Sequence, residues 1–291
     1  MRRQAGPQVT DEGQGVEYLS DAQPLVDDVE VAGLLELAVD AARRAGALAE
    51  SARRTGVDVA ATKTNDLDVV TRADIDVENL IRETTLTRRP QDGFLGEESE
   101  EVLGDDDLTW LVDPIDGTVN YLYGAPGYAV SIAAYRRGTP LVGVVYSPGL
   151  DELWAARRGG GATLNGLPVR TAGSVSPAQP LLATVFDYDP EARVRQMQRL
   201  ADSAVIIRDV RVSGSTALDL CRVAAGRVDV FCTDSVHWWD VGAGIVIARE
   251  AGCKAWSHQD PASLHVSCVV SNPTVSDTVL SSLGYAVVPS R

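Results

Sequence analysis

Val31, Leu34, Leu35, Ala38, Ala42, Ala45 and Leu48 recur at helical spacing, which predicts an amphipathic helix over residues 31 to 54. A second helix is predicted from Asp74, with Val77, Leu80 and Ile81 on its inner face. A carboxylate at Asp74 is favoured there by the partial positive charge of a helix N-terminus. Leu108 to Val112 is a short apolar run that stops abruptly at Asp113-Pro114, the pattern of a strand that delivers a carboxylate at its end. From 128 to 156 the pattern reads strand, turn, strand, turn, strand, with turns at Arg137-Gly138 and Pro148-Gly149. A further hairpin turn falls at Asn165-Gly166.

The second half alternates. Leu181 to Phe186, Ala204 to Ile207, Val228 to Phe231, Ala255-Trp256 and Val266 to Val270 read as strands. Residues 189–202, 215–225, 241–251 and about 274–283 read as helices. Helices followed by an antiparallel sheet, then an α/β layer, give an α/β (α+β) class. Residues 1–29 lack periodicity and read as a disordered tail. The folded unit is expected over 30–291, with subregions of about 30–176 and 177–291.

Composition narrows the function classes. Apolar residues make up 45% and charged residues 23%, as in an ordinary globular protein. No apolar run approaches the length of a membrane span, and no secretory signal follows Met1-Arg2-Arg3, so a cytoplasmic location is expected. The net charge of −15 would repel a nucleic-acid backbone or an anionic membrane, and no basic patch offsets it. Cys221, Cys232, Cys253 and Cys268 form no CxxC pair and are expected as buried free thiols. His237, His258 and His265 read as too few and too scattered for a histidine-rich metal site.

The sharpest chemical feature is Trp110-Leu-Val-Asp113-Pro-Ile-Asp116-Gly117-Thr118-Val-Asn120. Two like charges three residues apart across a turn are costly unless cations or protons neutralise them. Gly117 lets the backbone approach a ligand closely, and residues 117–121 can open a helical turn whose free N–H groups suit phosphate. Carboxylates beside such a turn imply a metal between them, and oxygen-only ligands imply Mg²⁺, Mn²⁺ or Ca²⁺. Taken alone, the segment reads equally well as a surface turn with a helix cap. Gly96-Glu97-Glu98 alone reads as a loop, and Asp240 alone as an N-cap worth about 1 kcal/mol. It is their combination and order that point to one site.

With those segments, Lys63 to Asp74 and Gly214 to Asp219, the chain resembles the inositol monophosphatases from about residue 31 to its end. The resemblance implies a layered α-β-α-β-α sandwich, hydrolysis of a phosphate monoester by two Mg²⁺ ions, a third, weakly held ion near Glu97, inhibition by Li⁺, and a homodimer. It implies metal ligation by Glu97, Asp113, Asp116, Asp240 and the carbonyl of Ile115. Gly117 and Thr118 would offer N–H groups to the phosphate. Thr118 would pair with Asp74 to orient the attacking water, with Glu97 and Lys63 beside that water. Ser215 and Thr216 would touch the substrate. Thr233 stands where inositol-preferring members carry a Glu, with Asp234 as a neighbouring substitute.

The implied substrate is inositol 1-phosphate or a similar small polyol or sugar phosphate. Histidinol phosphate, 3′-phosphoadenosine 5′-phosphate, a nucleoside monophosphate and fructose 1,6-bisphosphate stay open. A bisphosphate would need basic residues near its second phosphate, and Arg193, Arg208 and Arg211 are the candidates. A regulatory interaction protein that keeps the fold without the activity is the non-enzymatic alternative.

Overall fold

The computed structural model describes residues 17–18, 27–56, 59–62, 69–259 and 265–284, with side chains for all but 17–18, 59–62 and 69. The described elements, in chain order, begin with β1 (Glu17–Tyr18), α1 (Asp28–Thr55), β2 (Val59–Thr62), β3 (Val69–Thr71), α2 (Arg72–Arg88), β4 (Gly93–Gly96) and β5 (Leu108–Asp116). Next come α3 (Thr118–Leu122), β6 (Ala129–Arg136), β7 (Thr139–Ser147), β8 (Glu152–Arg157), β9 (Gly161–Leu164) and β10 (Leu167–Val169). The second half holds β11 (Leu181–Ala183), α4 (Pro190–Asp202), β12 (Asp209–Arg211), α5 (Thr216–Ala224) and β13 (Val230–Val236). It ends with α6 (Trp238–Glu250), β14 (Lys254–Gln259), β15 (Val266–Ser271) and α7 (Asp277–Ser282).

Side-chain alternation along the strands builds the layers. In β5, Trp110 and Val112 face the core formed with α1 and α2, whereas Leu111 faces the core formed with α5 and α6. A seven-stranded sheet, in the order β10-β9-β8-β7-β6-β5-β4, lies between those two helix pairs. The other side of the α5/α6 layer packs on a six-stranded sheet, β1-β14-β15-β13-β11-β12, through Ala183, Phe231, Ala255 and Cys268. Leu182, Val230, Trp256 and Val269 point the opposite way, toward α7 and Leu200 of α4. This is the expected five-layer α-β-α-β-α sandwich. Both sheets are mixed: β4 runs parallel to β5 in the first, and β11 runs parallel to β12 and β13 in the second.

Several boundaries differ from those read in the sequence. α1 starts at Asp28, because Asp27 caps it by accepting the Val29 N–H at 3.0 Å. Most of the expected tail lies outside the described residues, but Glu17–Tyr18 pairs antiparallel with β14. Residues 204–207 do not form the expected strand: Ile206 closes a turn onto the Ser203 carbonyl, and Ile206 and Ile207 pack on the outer core from that turn. The strand comes later, at β12. β13 is longer than expected and carries the polar run Thr233-Asp234-Ser235, with a register shift against β15 between Thr233 and Val236. All four cysteines are free and buried. No described helix is long and apolar enough to cross a membrane.

The central layer fits closely against β7. A Cβ added at Gly143 would lie 2.4 Å from the Ala243 carbonyl oxygen of α6. Gly143→Val is therefore expected to lower unfolding free energy by about 2–3 kcal/mol in urea denaturation. An unchanged midpoint and slope would contradict this close approach.

Candidate active site

The edge of the first sheet becomes a site through a bulge. Asp113 pairs with Ser131 and Asp116 with Ala129, so three steps along β5 match two along β6. An extra residue re-aims side chains, and Pro114 has no N–H to lose at that point. Asp113 is buried, and its Oδ1 accepts the Ile115 N–H at 3.0 Å. Beside it, β4 runs parallel with Gly96 opposite Val112, and the Glu97 N–H donates to the Val112 carbonyl at 3.2 Å. That pairing sets Glu97 next to Asp113. Asp240 arrives in the first turn of α6, where it accepts the His237 N–H at 2.6 Å.

Asp116 has a different anchor. Its carboxylate sits on the N-terminus of α5, accepting the N–H groups of Thr216 at 3.1 Å and Ala217 at 2.8 Å and the Ser215 hydroxyl. The helix dipole and three donors favour its charged form. Burial outweighs them and raises its carboxyl to about 7. Asp113 is raised well above the usual carboxylate range, by burial first and then by the charges of Glu97, Asp116 and Asp240. Glu97 also shares a hydrogen bond with it.

These groups line a cleft of about 620 Å³. Among the described residues no three His, Cys, Asp or Glu side chains close into a finished metal cage. The donor set nevertheless fits a hard cation. Glu97, Asp113, Asp116, Asp240 and Ile115 all line the cleft and offer only oxygen, and a buried Asp113 carboxyl raised further by its three neighbours' charges is what a divalent ion would relieve.

Gly117 adopts the left-handed conformation, φ 91°, that turns the chain from β5 into α3. The first N–H groups of α3 therefore have no intrahelical acceptors. Asn120 locks this turn to the opposite loop, donating to the carbonyls of Gly127 at 2.7 Å and Ser213 at 2.8 Å. Its place inside the central motif was the only sequence signal for that role.

The expected pairing of Thr118 with Asp74 does not form. The Thr118 hydroxyl donates to the Ile115 carbonyl at 3.1 Å rather than to Asp74. Asp74 is buried and folds back as a capping box on Thr71, whose N–H it accepts at 2.9 Å. Ser215 spends its hydroxyl on Asp116 and on capping α5, whereas Thr216 lines the cleft. Thr233 is buried, has an unpartnered hydroxyl and does not line the cleft. Asp234 faces away from the cleft: alternation along β13 turns it to Arg199, at 2.7 Å, and to Gln196. Lys63 lies outside the described residues.

The opposite wall was not legible from spacing. Two of the three histidines, scattered in sequence, meet there: the His237 and His265 rings lie 5.0 Å apart, and His237 stacks on Trp239 at 4.5 Å. Trp238 instead points into the core and donates to Gln259. Ser235 joins His265 Nδ1 at 2.7 Å and donates to Asp187. Asp187, Tyr188 and Arg193 continue the wall from the segment leading into α4.

The model of the inositol monophosphatase family matches residues 30–284. An inositol-1-monophosphatase SuhB of Mycobacterium tuberculosis is 38% identical over 251 residues, covering 83% of this chain and 87% of that protein. A Pasteurella multocida protein named Nus factor SuhB is 39% identical over 222 residues, covering 75% and 83%. Among solved structures, the extragenic suppressor protein suhB of Bartonella henselae superposes with a TM-score of 0.78 at 33% identity, over 86% of this chain and 98% of that one.

A carboxyl raised on folding stabilises the fold fully below its unfolded value, and that stability is lost as pH rises through the folded value. Asp116, raised to about 7, and Asp113 both act in this direction. The cation-free protein should therefore lose melting temperature as pH rises from about 4 to about 7. Asp113→Asn should flatten that loss, as should a saturating divalent cation. Parallel curves for wild type and variant, measured by calorimetry, would contradict a raised Asp113 carboxyl.

Proposed function

The chain belongs to the inositol monophosphatase family, and from that premise we propose that it hydrolyses a small phosphate monoester in the Asp113 cleft. The family is generally metal-dependent. The observation that carries the reading is the convergence of Glu97, Asp113, Asp116 and Asp240 in one cleft, where burial and then the other three charges raise Asp113, beside the open first turn of α3. Glu97, Asp113, the Ile115 carbonyl, Asp116 and Asp240 would hold Mg²⁺, two or three ions per site. When bound, that cation supplies positive charge that acidifies a water and offsets charge on the phosphoryl group.

The chain's own groups do the rest. The N–H groups of Gly117 and Thr118 hold the phosphate oxygens at the start of α3. Ser215 and the N-terminus of α5 fix the Asp116 carboxylate so that it needs no reorganisation during the reaction. Thr118 holds the Ile115 carbonyl in the cleft, and Thr216 borders the substrate. Asp74 and Lys63 are assigned to the attacking water by resemblance alone. The substrate is inositol 1-phosphate or a similar small polyol or sugar phosphate, in a cytoplasmic, Li⁺-sensitive homodimer.

Relatives named Nus factor favour a second reading, an interaction protein on the same fold. Retention of the whole carboxylate set favours catalysis.

Phosphate release should be measured with inositol 1-phosphate, histidinol phosphate, fructose 1,6-bisphosphate, 3′-phosphoadenosine 5′-phosphate and nucleoside monophosphates. Release should vanish on chelation and return with Mg²⁺. Asp113→Asn should lower kcat by about 10³-fold or more while the protein stays folded. No release from any of these by folded, Mg²⁺-bound protein, together with capture of a protein partner, would favour the interaction reading.

A further inference from the structure

Arg193 is the one lysine or arginine among the described residues that line the cleft. It projects from the first turn of α4, on the wall away from the four converging carboxylates. Its Nε–H donates to the Asp187 backbone carbonyl at 2.8 Å, and its guanidinium lies 6.0 Å from the centre of the Tyr188 ring. Those two contacts fix the plane of the guanidinium and leave its terminal NH₂ groups for another acceptor.

Among the described residues no carboxylate takes that place. The acid that shares its wall of the cleft, Asp187, is committed elsewhere: it accepts the Asp189 N–H at 2.7 Å and the Ser235 hydroxyl. The neighbouring arginines of the same helix are paired, Arg195 with Glu191 and Arg199 with Asp234. Of the other two basic residues considered for such a role, Arg211 is paired with Asp209, and neither it nor Arg208 lines the cleft. In a chain with 41 acidic and 26 basic side chains, an oriented arginine that lines the cleft and is paired with no described carboxylate is a ready site for an anion.

We infer that Arg193 binds a second anionic group, a phosphate or a carboxylate, on the leaving-group side of the substrate, so that among small polyol and sugar phosphates the cleft favours those with a second negative charge over neutral-scaffold ones such as inositol 1-phosphate. The inference rests on the phosphomonoesterase reading. The phosphate to be cleaved sits at the carboxylate end with its cations. The second anion reaches across the cleft and takes a forked pair of N–H bonds from Arg193. Tyr188, Met197 and Val212 border that end and are partly exposed, leaving room for a small linking scaffold.

Two matched pairs separate the two anion types: fructose 1,6-bisphosphate against fructose 1-phosphate, and 3-phosphoglycerate against glycerol 3-phosphate. For at least one pair the doubly anionic member should have the higher kcat/KM. Arg193→Gln should lower the ratio within that pair about tenfold, mainly through KM, and Arg193→Lys should restore part of it. The pair that responds identifies the second group as phosphate or carboxylate. Calorimetric affinities for the same four compounds, taken with Mg²⁺ present, keep the two readings apart. Arg193-dependent binding without phosphate release would uphold the anion site and sink the phosphatase reading. Phosphate release with ratios and affinities that ignore Arg193 would overturn the anion site alone. Absence of both would overturn both.

Discussion

Four carboxylates that repel one another, two of them buried, are the constraint around which this fold is arranged. Left in water they would separate. Here each is tied to a different element: Asp113 to the bulge in β5, Glu97 to the parallel pairing of β4, Asp116 to the N-terminus of α5 and Asp240 to the first turn of α6. The five layers supply that rigidity. The α5/α6 pair is clamped between two sheets, so its N-termini cannot retreat from the β5 bulge. Tyr135 and Ser131 of β6 reinforce this by donating to carbonyls of α6, at Gly242 and Trp239. The cost of holding like charges together would be recovered on entry of a cation, which is what the proposed function asks of this site.

Much of this was legible in the sequence because it is local. A period of 3.6 gave α1, and an abrupt acid after an apolar run gave β5 and Asp113. The order Gly96-Glu97, Asp113 to Thr118, Trp239-Asp240 placed the acidic wall. What escaped was set by partners distant in the chain. β13 runs through Thr233-Asp234-Ser235 because β15 pairs with it, although polar residues hide a strand from hydrophobic patterning. The same strand decides that Ser235 faces the cleft and Asp234 does not. His237 and His265 meet only because the fold folds β15 back beside α6. Asp74 has local chemistry that won over the expected long-range one: as the third residue of α2 it closes a capping box, and Thr118 turns to Ile115 instead.

The cleft thus has two walls of opposite character. One concentrates negative charge beside the open turn of α3. The other carries aromatic rings, a Ser235–Asp187–His265 hydrogen-bond network and an arginine held without an acid. On the proposed reading a substrate's phosphate would lie at the first wall and its remainder at the second. The first wall carries the proposed chemistry; on the proposed reading the second, with Arg193, sets substrate choice.

The central claim is that the repelling carboxylates are a cation site. Anomalous diffraction from crystals of the full chain soaked in Mn²⁺ tests it most directly. The account predicts peaks within about 2–2.6 Å of Asp113 carboxylate oxygens. Glu97, Asp116 and Asp240 should complete the shells, and the Glu97–Asp113 hydrogen bond should be gone. A cleft that holds only water at saturating Mn²⁺, with that hydrogen bond intact, would contradict it.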